Sequence, residues 1–138
     1  MPNPVVAIDG GSITVAANAR ARLVLPGLRL QQPVANVDAQ DDPNAESDLA
    51  TYRSTYGLPP CTTANGCFRK VNQNGAASPL PTADAGWAGE ISLDVDMVSA
   101  ICPNCHILLV EASSASLANL GTAVNRAVTM GAKYVSNS

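Results

Sequence analysis

Apolar positions in the second half of the chain alternate between two rhythms. Ile91, Val95 and Val98 recur at helical spacing beside carboxylates at Glu90 and Asp94, which predicts a helix running from near Glu90 to about Ile101. His106 to Glu111 is then a continuous apolar run with polar ends, suited to a strand buried on both faces of a parallel sheet. Leu117, Leu120, Val124, Ala127 and Val128 return to helical spacing, with Gly131 placed to end that helix. Lys133 to Ser136 starts another strand. Helix, strand, helix, strand with short links is the pattern of crossover units on a parallel sheet, so the predicted fold class is α/β.

Upstream, Val34 to Val37 is a short candidate strand with Asn36 set among apolar residues. Asp41-Asp-Pro-Asn44 has strong turn chemistry, with Asn44 as the expected N-cap. Glu46 to Tyr56 carries Leu49, Tyr52, Arg53 and Tyr56 at helical spacing and is stopped by Gly57 and Pro59. Cys61 to Cys67 closes a Thr/Asn/Gly loop, Phe68 to Val71 has the pattern of a strand edge, and 72–86 is a Pro/Ala/Asn/Gly-rich surface loop. Residues 1–33 form a separate lead-in: candidate strands at Val5–Ile8 and Ile13–Ala17 around an Asp9-Gly-Gly11 turn, then Arg20, Arg22 and Arg29, punctuated by Pro26-Gly27 and Pro33. The expected organisation is therefore 1–33 as lead-in and 34–138 as the ordered domain. The last strand stops within a few residues, so the sheet is expected to be incomplete at its C-terminal end. An open sheet edge invites aggregation or pairing.

Composition narrows the function. The chain has 138 residues, enough for one domain with a modest core. Aromatic residues make up only 4%, so Val, Leu, Ile and Ala must fill that core. A formal net charge of -3 and a pI near 4.8 argue against nucleic acid or an anionic membrane as partner. No apolar run reaches the roughly 18 residues of a membrane span, and Met1-Pro-Asn-Pro lacks the basic start and apolar core of a signal peptide.

Two groups of residues could carry chemistry. Glu90 and Asp94 stand one turn apart on the same helix face. As solvated helix acids they do nothing; partly desolvated, they would share a proton, as a carboxylate acting as general base requires. Gly86 and Gly89 flank Trp87, the only tryptophan, and predict a tight turn or close backbone approach there. The four cysteines fall as close pairs, Cys61/Cys67 and Cys102/Cys105, which suits two small disulfide loops and an oxidising compartment. Cys102-Pro-Asn-Cys105-His106 also matches the C-x-x-C-H haem-attachment pattern, and with Cys61 and Cys67 it could supply zinc ligands. Against haem, His106 leads straight into a buried strand. Against zinc, the first pair is loosely spaced. A redox C-x-x-C would sit at a helix start, whereas this one follows a helix.

Several segments resemble the sedolisin family of serine-carboxyl peptidases: Val37-Asp38-Ala-x-Asp-Asp-Pro-Asn44, Tyr52-Arg-x-x-Tyr-Gly-Leu-Pro59, Gly86-Trp87-x-x-Glu90-x-x-Leu-Asp94 and Cys102-Pro-x-Cys-x-Ile-Leu-Leu-Val-Glu-Ala112. Val135-Ser-Asn-Ser138 is similar to the strand before that family's oxyanion-hole region. The resemblance covers about three quarters of the chain. It implies a three-layer, subtilisin-like domain with a mostly parallel sheet and helices on both faces, of which 34–138 would be the N-terminal portion. It also implies a secreted serine-type endopeptidase acting on proteins or peptides at acidic pH, with Glu90 as general base and Asp94 as its supporting carboxylate. The family's Gly-Thr-Ser nucleophile and oxyanion aspartate are not among these residues: Gly121-Thr122 is followed by Ala123 inside a helical pattern. A family calcium site would lie beyond Ser138, so no cofactor is expected in this chain. Residues 1–33 and Asn36 depart from the family pattern. The chain alone is expected to be inactive, and a disulfide-stapled remnant or secreted binding module is the competing expectation.

Overall fold

The computed structural model describes residues 33–138 throughout and, before them, the strand backbones Val5–Asp9 (β1), Ser12–Thr14 (β2) and Arg22–Leu23 (β3). The chain divides into two units, Met1–Leu30 and Gln31–Ser138. In the first, β1 pairs antiparallel with β2, Ala7 opposite Thr14, and parallel with β3, Val5 opposite Arg22. The strand expected over Val5–Ile8 is present; of that expected over Ile13–Ala17, Ile13 and Thr14 belong to β2 and the rest lies outside the described residues. The glycines of the Asp9–Gly11 turn, Arg20, Pro26-Gly27 and Arg29 also lie outside them.

The second unit runs β4 (Pro33–Ala39), α1 (Ala45–Thr55), β5 (Phe68–Asn72), α2 (Ala85–Ile101), β6 (His106–Ala112), α3 (Leu117–Thr129) and β7 (Tyr134–Asn137). Its four strands make one parallel sheet in the order β5-β6-β4-β7. Because strand side chains alternate between faces, β6 feeds two cores, and β4 adds Ala35 and Val37 to one while turning the buried polar Asn36 and Asp38 to the other face. Ala35, Val37, Leu108, Val110 and Ala112 pack with Ala123 and Ala127 of α3. Ile107 and Leu109 pack with Leu49 of α1 and Ile91 and Val95 of α2 on the other face. Helices thus cover both faces, and β6 is buried from Ile107 to Ala112, as its unbroken apolar run requires.

Helix ends follow local chemistry. Gly57 and Gly131 take φ of 64° and 94°. Each lets the chain close its helix with paired bonds: Leu58 N–H to the Arg53 carbonyl at 2.8 Å and Ala132 N–H to the Ala127 carbonyl at 3.1 Å. Asn44 occupies the N-cap position of α1, but its side chain makes no capping bond. Asp42 shapes the turn before it, its Oδ1 accepting from Asn44 N–H at 2.9 Å. The tight turn expected around Trp87 is also not there. Gly86 and Gly89 lie inside α2, because Asp84 caps the helix by accepting from Trp87 N–H at 2.9 Å. The cap and the buried Ile91–Val95 stripe outweigh a glycine penalty of about 1 kcal/mol each. In α3, Leu117 and Val128 belong to the helix but face solvent, since Ala123 and Ala127 occupy the sheet-facing stripe. β7 is an edge strand with all four residues exposed.

Both cysteine pairs are closed as disulfides, Cys61–Cys67 and Cys102–Cys105. No thiolate in either pair is left to bind zinc or haem. Arg53 ties the two loops together: its buried guanidinium donates to the carbonyls of Pro59 and Pro103 and, at 2.9 Å, to Ser99 Oγ on α2.

Candidate active site

The sheet delivers its chemistry at the carboxyl ends of its strands. β4 carries Asp38 at its end, opposite Glu111 of β6. The chain turns at Gln40, whose φ of 62° is costly for an L side chain, on the order of 1 kcal/mol. Gln40 N–H then bonds the Ala112 carbonyl at 2.9 Å, and Asp41 pairs with the segment before α2: Asp41 N–H to the Thr82 carbonyl at 3.1 Å and Asp84 N–H to the Asp41 carbonyl at 3.2 Å. This clamp sets the start of α2 beside the end of β4. Ser92 of α2 adds a bond to Asp42 Oδ2 at 3.3 Å.

The clamp brings Glu90 and Asp94, both half-buried on α2, against Asp38. Asp38 is fully buried and neither of its oxygens meets an N–H or O–H donor among the described residues. The Asp94 carboxyl of α2 stands near it. Burial first, then the charges of Asp94 and Glu90, push the Asp38 carboxyl up to about 8. Ser138, just past β7, donates to Asp94 Oδ2 at 2.7 Å and is held by its own N–H on the Val37 carbonyl at 3.2 Å. A groove of about 430 Å³ opens over this cluster, lined by Asp84, Gly86, Trp87, Glu90 and Ser138. No basic side chain lines it among the described residues.

A second group of carboxyls sits beside the first. Lys70 of β5 bonds Asp41 Oδ1 at 2.7 Å and the Asp42 carbonyl at 2.8 Å, and stands 3.8 Å from Glu111 Oε1. Glu111 is fully buried, and its Oε1 accepts from Asp42 N–H at 3.4 Å. Burial pushes its carboxyl up to about 8 despite Lys70. This group holds the β4–α1 turn to the sheet.

Of the residues expected from sequence, Glu90 lines the groove with Trp87, whereas Asp94, one turn on, lies behind it and lines a separate apolar pocket with Val34, Met97, Val98 and Ile101. Cys61, Cys67, Cys102 and Cys105 are placed elsewhere, pinning loops around Arg53. Three contributors escaped the sequence reading: Asp38, Asp84 as cap, and Ser138. A signal for Asp38 existed, an acid between Val37 and Ala39 at the end of a buried strand.

No protein-family model and no curated protein sequence matches the chain. Among solved structures it is similar to Pseudomonas sedolisin, a serine-carboxyl proteinase crystallised with two molecules of pseudo-iodotyrostatin. The TM-score is 0.60 at 22% identity, over 75% of this chain and 28% of that one. The chain therefore spans less than a third of that neighbour's length. The likeness is one of fold: a mixed α/β unit with a parallel four-stranded sheet and three helices, arranged as in a sedolisin-type domain.

Proposed function

We propose that this chain carries the carboxyl half of a serine-carboxyl peptidase site, with Glu90 as general base and Asp94 as its supporting carboxylate. The observation that carries the reading is Glu90 lining a groove beside the only tryptophan, with Asp94 one turn behind it on the same helix, on a sedolisin-like fold. Glu90 lines the groove and can take a proton from a hydroxyl presented there. Asp94 lies behind it, held by Ser138 and facing Asp38. A carboxylate base has an intrinsically low pKa, and shared protons keep such a cluster poised in acid. The nucleophilic serine and the oxyanion donors would come from residues outside this chain, which alone cleaves nothing. Two disulfides fit a secreted enzyme meeting its substrate in an oxidising, acidic medium.

Trp87 reports directly on the groove. Titrating the chain at about pH 4 with pseudo-iodotyrostatin, the inhibitor bound by the sedolisin neighbour, is expected to change Trp87 fluorescence saturably. The Asp84→Asn variant should report the same change, since Asn also caps helices well. An unchanged spectrum up to millimolar inhibitor contradicts a peptide-binding groove. Proteolysis by the isolated chain that disappears in Glu90→Gln contradicts the assignment of the nucleophile to residues elsewhere.

A further inference from the structure

We propose that the outer edge of β5 is a docking notch for an extended peptide in which an apolar residue is followed by an acidic one. β5 is an edge strand of the sheet. Successive strand residues turn their backbone groups to opposite sides. The Cys67 carbonyl faces β6, accepting from Ile107 N–H at 2.8 Å, so Phe68, Lys70 and Asn72 face outward. The chain itself closes both ends of that edge. Phe68 N–H bonds the Thr62 carbonyl at 3.1 Å, and Asn72 N–H bonds the Ala76 carbonyl at 2.8 Å. Between them, the outward N–H and carbonyl of Lys70 meet no partner among the described residues. A cavity of about 440 Å³ opens there, lined by Pro43, Glu46, Thr63, Arg69, Lys70 and Leu80 among others. One wall is the loop closed by Cys61–Cys67, which Glu46 fastens to α1 by accepting from Thr63 N–H at 2.7 Å and Thr63 Oγ1 at 2.9 Å. The notch is thus preformed, which lowers the ordering cost of binding.

Backbone geometry and charge choose the occupant. In an antiparallel pair one residue exchanges both bonds with its opposite, whereas parallel pairing splits them between two residues and lengthens the ligand toward the closed ends. One ligand residue opposite Lys70 therefore satisfies both free groups. Its side chain falls on the face of Phe68, Lys70 and Pro43, where an apolar group is favoured. The next ligand residue stands opposite Arg69 as a cross-strand pair. Arg69 is exposed and has no carboxylate partner among the described residues. The other charges are committed, Lys70 to Asp41 at 2.7 Å and Glu46 to Thr63. The free charge of the notch is positive, and it selects an acid. The notch needs nothing from Glu90.

The probe is acetyl-Ala-Val-Asp-Ala-amide, titrated near pH 6 into the ¹⁵N-labelled 138-residue chain, with amide resonances followed. The Lys70 amide is expected to shift saturably, together with those of Thr63 and Ala77. N-methylation of the probe's valine, which removes the donor to the Lys70 carbonyl, should abolish the shift. Asparagine in place of the probe's aspartate should weaken binding about two- to fivefold, the worth of an exposed ion pair. Arg69→Gln should erase that difference between the two probes while leaving the Lys70 shift in place. An unmoved Lys70 amide at millimolar peptide overturns the proposal, as do shifts confined to Tyr134–Asn137 of β7, the other open edge. Equal affinity of the aspartate and asparagine probes for the native chain overturns the selection by Arg69.

Discussion

Arg53 Nη1 donates to Ser99 Oγ at 2.9 Å, joining α1 to α2 through a guanidinium that is almost fully buried and has no carboxylate partner among the described residues. Its Nε and Nη2 donate to the Pro59 and Pro103 carbonyls, so one side chain fastens two helices, the approach to the Cys61–Cys67 loop and the Cys102–Cys105 loop. Arg53→Met would strand these acceptors in a dry site. The expected loss is about 3 kcal/mol, from one to three for each buried group left unpaired. Arg53→Lys should recover only part of it, because a single ammonium cannot reproduce the planar fork. Urea unfolding of the three proteins measures the order.

Stability should fall as pH rises from 4 to 9. Asp38 and Glu111 are pushed up to about 8 and Asp96 to about 6, each chiefly by burial. Their folded values lie above the unfolded ones, so the native state binds more protons across this interval. The stabilisation is complete below about pH 4 and is lost as pH climbs through these folded values. Melting temperature against pH should therefore slope downward between pH 4 and 8, and the double variant Asp38→Asn, Glu111→Gln should flatten much of the slope. A flat native profile would contradict the burial argument.

Much of this architecture is legible in the sequence because it is written in periodicity. The Ile107–Val110 run, the Ile91–Val95 spacing and the Gly57 and Gly131 stops each act locally. So does the closeness of each cysteine pair. The site is legible only in part, since side-chain partners depend on sheet register. Nothing near Asp38 in sequence announces that α2 will lay Asp94 over it, and nothing near Lys70 announces Asp41 and Glu111. Capping misled in both directions. Asn44 has the right residue type and position but makes no side-chain capping bond, while the glycines beside Trp87 concealed Asp84 as a cap.

Removing the Asp84 cap should loosen the rim of the groove. Asp84→Ala frees Trp87 N–H and is expected to cost about 1 kcal/mol. The first turn of α2 carries Trp87, so the near-ultraviolet circular dichroism of this single tryptophan should weaken along with the melting temperature.

Reducing the disulfides should weaken the fold without abolishing it. The bridges close loops with sequence separations of 6 and 3, each worth about 2 kcal/mol in the chain-entropy picture. Both apolar cores remain, with Cys61 and Cys105 the only fully buried sulfurs among the described residues. Thermal unfolding with and without reductant at matched pH should show a lower but still cooperative transition.

Glu90 as the base is examined most directly by acid proteolysis in the complete product of the encoding gene, native against Glu90→Gln. A general base contributes roughly 10² to 10⁴-fold to such a reaction, and Gln keeps the size of the side chain while removing its basicity. Activity at about pH 4 is predicted to drop by that factor with the melting temperature held. Activity within a few-fold of native would contradict the assignment.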